Sequence, residues 1–71
     1  MKNDLTKREL QVLSLIAKGY GSKKIASLLS ITVRTIETHR KNIKLKFEFN
    51  NFYRVISYAY ENKILPLDPT S

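Results

Sequence analysis

The residues that interrupt regular structure are confined to two places in this chain of 71 residues. Gly19 and Gly21 flank a single tyrosine, and Pro66 and Pro69 lie at the C-terminal end. Inside a helix glycine and proline cost roughly 1 and 3 kcal/mol against alanine, so their absence elsewhere leaves long stretches in which helices can propagate. An all-α domain is the expected outcome. A chain of this length makes one small domain, burying only about 60% of its unfolded surface, so a partner subunit would add useful stability.

Helix signals divide the chain into four. Thr6 and Glu9 have the spacing of a capping box and start a first helix at Lys7. Leu10, Leu13, Ile16 and Ala17, widened by Val12, form its apolar stripe as far as Lys18, where Gly19-Tyr20-Gly21 provides the stop. Ser22 is the expected cap of a short second helix with Ile25, Ala26 and Leu29 inward, interrupted by Ser30-Ile31-Thr32. Thr32 caps a third helix, in which Ile36, Ile43 and Phe47 recur at i, i+7 and i+11 with His39 and Arg40 on the shoulders. Asn50 or Asn51 caps a fourth, from Phe52 to about Asn62. The domain is expected to span residues 1–65, with residues 66–71 as a flexible C-terminal tail.

Thirteen Lys and Arg against six Asp and Glu give a net charge of +7, which favours a polyanionic partner. Five cations and one carboxylate fall between Thr32 and Phe47, so more than half of that excess belongs to the third helix. A two-turn helix, a three-residue connection and a longer basic helix make the helix-turn-helix layout, whose second helix enters the major groove. At about 100° per residue, Arg34, Thr38, Lys41 and Leu45 point away from Ile36, Ile43 and Phe47, with Glu37 and Asn42 on the flanks. Lys41 and Arg34 suit guanine or phosphate, Asn42 suits adenine, and Thr38 offers a hydroxyl and a methyl. Arg40, Lys44 and Lys46 are better placed for the flanking backbone.

Other chemistries find little support. The chain has no cysteine and one histidine, so neither a thiolate site nor a histidine cluster can form, and His39 reads as a packed or hydrogen-bonded residue. A capping box and an internal ion pair account for Glu9 and Arg8, and Gly19-Tyr20-Gly21 is too short for a phosphate-cradling loop. No enzymatic activity, cofactor, metal or small-molecule ligand is expected. Nor does any apolar run reach the ~20 residues that cross a bilayer, and the N-terminus lacks a signal-peptide layout.

The stretch from Leu5 to Phe47, LTKRELQVLSLIAKGYGSKKIASLLSITVRTIETHRKNIKLKF, resembles the LuxR/GerE-type helix-turn-helix of bacterial response regulators and quorum-sensing regulators. The matching positions include Leu5, Thr6, Glu9, Val12, Leu13, Gly19, Lys23, Ile25, Ala26, Thr35, His39, Asn42, Ile43 and Lys46. They continue through Ile56, Ala59 and Ile64-Leu65. The resemblance implies a four-helix fold, a double-stranded DNA partner, a cytoplasmic, nucleoid-associated location, and dimerisation through the fourth helix. It places Glu37, Thr38 and Lys41 toward bases, and Lys23, Arg34 and Lys44 toward phosphates.

The dimer seam falls on Tyr53, Ser57 and Tyr60, beside the core-facing Phe52, Val55, Ile56 and Ala59. Self-association is expected to be weak in free solution, since one helix per subunit buries little area. Four departures from the family pattern stand out. Gly21-Ser22 replaces Ser-Asn, and Glu37 stands where a basic residue is frequent; both bear on DNA sequence preference. Phe52 replaces Arg and Lys63 replaces Gly, departures that touch the fourth helix. Glu37 has two readings: a base contact accepting from cytosine N4, or an ion pair with Lys41 four residues on.

The rival class is a small basic interaction module whose third helix binds an acidic protein partner or an anionic membrane surface. Against the membrane form stands the apolar face of that helix, which the core requires.

Overall fold

The computed structural model describes residues 5–65, and the tail expected at residues 66–71 lies outside them, as do residues 1–4. The described residues form four helices and no strand: α1 (Lys7–Ala17), α2 (Ser22–Leu29), α3 (Val33–Phe47) and α4 (Phe52–Glu61). The all-α expectation holds.

Local chemistry sets most of the boundaries. The Thr6 hydroxyl accepts from the Glu9 N–H at 3.0 Å and the Glu9 carboxylate accepts from the Thr6 N–H at 3.0 Å, closing the capping box. Helix α1 ends one residue earlier than the stripe suggested, with Lys18 as its C-cap and Gly19 at φ +95°, a left-handed geometry that favours glycine. Ser22 does not cap α2. Gly21 is the N-cap, and Ser22 is already helical. Thr32 accepts from the Thr35 N–H at 3.2 Å, and Asn51, rather than Asn50, accepts from the Arg54 N–H at 3.0 Å.

The turn between α2 and α3 is tight because Ser30 takes φ 57°, ψ 41° and the Ile31 N–H reaches back to the Ala26 carbonyl at 3.0 Å. Glu48 repeats that left-handed stop after α3, with the Phe49 N–H on the Lys44 carbonyl at 3.2 Å.

Helix α3 is the hub, in contact with α1, α2 and α4. Its Ile36, Ile43 and Phe47 are fully buried against Val12 and Leu13 of α1, Ile25 and Ala26 of α2, and Val55 and Ala59 of α4. The segment after α4 closes the core: the Ile64 and Leu65 N–H groups donate to the Ala59 carbonyl and Leu65 is buried. The stripe assigned to α1 needs one correction. Leu10 is 37% exposed, while Glu9 is buried in its stead, because α3 approaches α1 from the side on which Lys46 can pair with that carboxylate.

Candidate nucleic-acid interface

The side of α3 facing away from the core carries Arg34, Glu37, Thr38, Lys41 and Leu45, all exposed. Leu45 is 64% exposed in the midst of these polar groups. Arg34 and Lys41 have no ion-pair partner among the described residues, so both cations remain available to an external anion. Thr38 donates its hydroxyl to the Arg34 carbonyl at 3.1 Å. Lys23 is exposed in the first turn of α2. One surface therefore presents the base-facing candidates together.

The remaining cations of α3 are engaged elsewhere. The Lys46 ammonium lies 2.6 Å from the buried Glu9 carboxylate, so it belongs to the internal framework instead of the flanking surface where the helical projection put it. Burial raises the Glu9 carboxyl, but the Lys46 hydrogen bond, the Thr6 N–H and the charges of Lys46 and His39 outweigh it and hold the group below its ordinary range. Glu9 therefore makes an ion pair in addition to its capping box, with Lys46 of α3 as the partner. His39, half-buried on the shoulder of α3, lies close enough to favour the ionised form of the same carboxylate.

Arg40 and Lys44 both face the ring of Phe52, at 4.6 Å and 5.5 Å from its centroid. Lys44, expected at a phosphate, thus has its ammonium directed at α4. Glu37 departs from the expected intrahelical partner as well: its carboxylate sits 3.8 Å from Arg40, three residues on, and not beside Lys41. The aromatic platform at position 52 draws Arg40 toward α4, and Glu37 follows the guanidinium. Sequence reasoning missed Phe52 in this capacity, although its i+12 spacing from Arg40 left no local signal to find.

On α4 the three seam candidates separate. Tyr53 is 81% exposed and Ser57 is exposed, whereas Tyr60 is half-buried against the core. Tyr58, not singled out from the sequence, packs edge-on to Phe47 at 5.6 Å and Phe49 at 5.8 Å. Arg54 lies over Phe49 at 5.1 Å. Among the described residues no cluster of metal-ligating side chains occurs, and no helix is long and apolar enough to cross a membrane.

Residues 3–59 match the model of a family described as bacterial regulatory proteins, luxR family. Among known relatives, the oxygen regulatory proteins NreC of Staphylococcus haemolyticus and of Staphylococcus carnosus are each 44% identical to the chain over 61 residues, 86% of its length. A solved structure of SdiA in complex with octanoyl-rac-glycerol superposes with a TM-score of 0.78 at 36% identity, covering 83% of the chain. The chain spans 28% of the length of those NreC proteins and 24% of that SdiA chain.

Proposed function

The chain belongs to the luxR family of bacterial regulatory proteins and is a DNA-binding domain of transcription regulators, and from that premise we propose that α3 lies in the major groove. In this reading Glu37, Thr38 and Lys41 face base edges, and Arg34 and Lys23 meet phosphates on either side. Lys44 reaches a phosphate only by leaving the Phe52 ring, so its contribution is the smaller one. Two copies bind half-sites about one helical turn apart and meet through α4 at Tyr53, Ser57 and Tyr60. In this reading these residues supply DNA recognition and carry no sensing machinery of their own.

The observation that carries this reading is the division of α3 into two opposed faces. Ile36, Ile43 and Phe47 are consumed by the core, and the residues facing the other way are, apart from Leu45, exposed charged and hydrogen-bonding groups. That division also disfavours a membrane-inserting helix, since α3 has no spare apolar face. Selection from a random duplex pool, followed by affinity measured against salt, tests it. Each phosphate contact releases about 0.9 of a counterion, so affinity should fall steeply as salt rises. Lys41→Ala should weaken binding while helicity stays unchanged. Salt-insensitive binding, or an unaltered affinity for Lys41→Ala, would refute the placement of α3.

A further inference from the structure

The outer face of α4 is self-complementary in a way that selects one orientation and one register for a pair of these helices. With Ser57 taken as the centre and about 100° per residue, Tyr53 and Tyr60 fall some 40° to 60° to one side, and Arg54 and Glu61 as far to the other. Val55 and Ala59 point the opposite way and are fully buried, which leaves the Ser57 line facing outward. Neither Arg54 nor Glu61 has an ion-pair partner among the described residues. Arg54, Ser57 and Glu61 border one shallow groove of about 340 Å³, and the small serine at its middle lets another helix come close.

A two-fold axis relates each residue on one subunit to the same residue on the other, so an isologous contact must pair unlike positions reciprocally. If the axis crosses α4 at right angles between Ser57 and Tyr58, the helices run antiparallel and each edge of the face meets the same edge of its partner. Arg54 and Glu61 lie about 5 Å to either side of that point at 1.5 Å rise per residue. Each arginine then faces the other copy's glutamate, twice. On the opposite edge Tyr53 of one copy falls within about 3 Å, measured along the axis, of Tyr60 of the other. A parallel pair would set the charged edge against the tyrosine edge and leave all four charges unmatched.

Resting on the dimer reading above, the geometry points to an antiparallel α4 pair centred next to Ser57, closed by two reciprocal Arg54–Glu61 ion pairs with tyrosine contacts on the other edge. The occupant of the groove is a second copy of this chain. The stacking of Arg54 over Phe49 at 5.1 Å holds the guanidinium at the rim, so less side-chain freedom is lost when the pair forms.

Charge reversal tests the register. R54E and E61R each set like charges opposite one another in a self-pair, whereas an equimolar mixture of the two variants restores both ion pairs in the mixed dimer. The readout is affinity for a duplex with two half-sites relative to one half-site, using duplexes selected by the unaltered chain, with circular dichroism to confirm folding. Each variant alone should lose about five- to tenfold of the two-site advantage at low salt, since two weak pairs become two weak repulsions. The mixture, and the R54E/E61R double variant, should regain it.

R54E lowers and E61R raises the general attraction to DNA, so a shared loss of the two-site advantage cannot come from net charge. An unaltered chain with no two-site advantage would overturn the dimer reading and this register with it. A two-site advantage that survives either reversal, or that the mixture fails to restore, would overturn the register alone.

Discussion

Replacing Lys46 by methionine keeps most of the apolar stem and removes the ammonium that lies 2.6 Å from Glu9. The carboxylate is then left buried with the Thr6 N–H as its remaining near donor among the bonds described here. A hydrogen bond between charged groups contributes about 1.5–3 kcal/mol. Lys46 is itself a third exposed, so water recovers part of the loss, and about 2 kcal/mol is the expected cost at neutral pH. For a domain of this size that corresponds to a fall in Tm of roughly 8–16 °C.

The pH dependence sharpens the test. In the unaltered chain Glu9 is held below its ordinary value of 4.5, so its contribution to stability is present above that pH and is lost as pH falls through the folded value. Without Lys46 the main influence opposing burial is gone, so the carboxyl moves upward from its lowered position. The variant's native state then takes up a proton at higher pH than the unaltered native state does, so part of the lost stability is recovered on acidification. The deficit of Lys46→Met should therefore be largest near neutral pH and shrink on acidification. Urea unfolding followed by circular dichroism at pH 7 and pH 4 measures both. A cost under about 0.5 kcal/mol, the size of a surface ion pair, or a deficit that does not narrow at pH 4, would refute this account of the pair.

Three further outcomes follow from the placement of single residues. Lys41→Ala should reduce DNA affinity and the salt slope more than Lys44→Ala, because Lys44 starts on the Phe52 ring; equal effects in a titration series would contradict that ranking. Glu37→Ala should relax base preference at one position of the selected site, a contact of about 1–3 kcal/mol, whereas identical sequence logos would show that Glu37 only holds Arg40. Tyr53→Asp should abolish the two-site advantage with no change in Tm, while Tyr60→Asp should also lower Tm, since Tyr60 is half-buried against the core; equal thermal stability of the two variants would count against the assigned burial.

What the sequence determined by itself is most of what depends on neighbours along the chain. Thr6 with Glu9, Thr32 and Asn51 announce their helices because a cap is a contact over three residues, and Ile36, Ile43 and Phe47 mark the buried face because helical period alone aligns them. The opposed face with Arg34, Thr38 and Lys41 follows from the same arithmetic.

Tertiary structure decided which of the many cations are free. Lys46 is taken up by a carboxylate 37 residues away, and Arg40 and Lys44 are drawn to a ring on another helix, with Glu37 following Arg40. The exposure of Leu10, the half-burial of Tyr60 and the buried closure by Leu65 were settled in the same way. Periodicity tells which way a side chain points from its own helix, but a charge or a ring acts on whatever lies within about 4–6 Å, and how α1 and α4 cross α3 sets that neighbourhood.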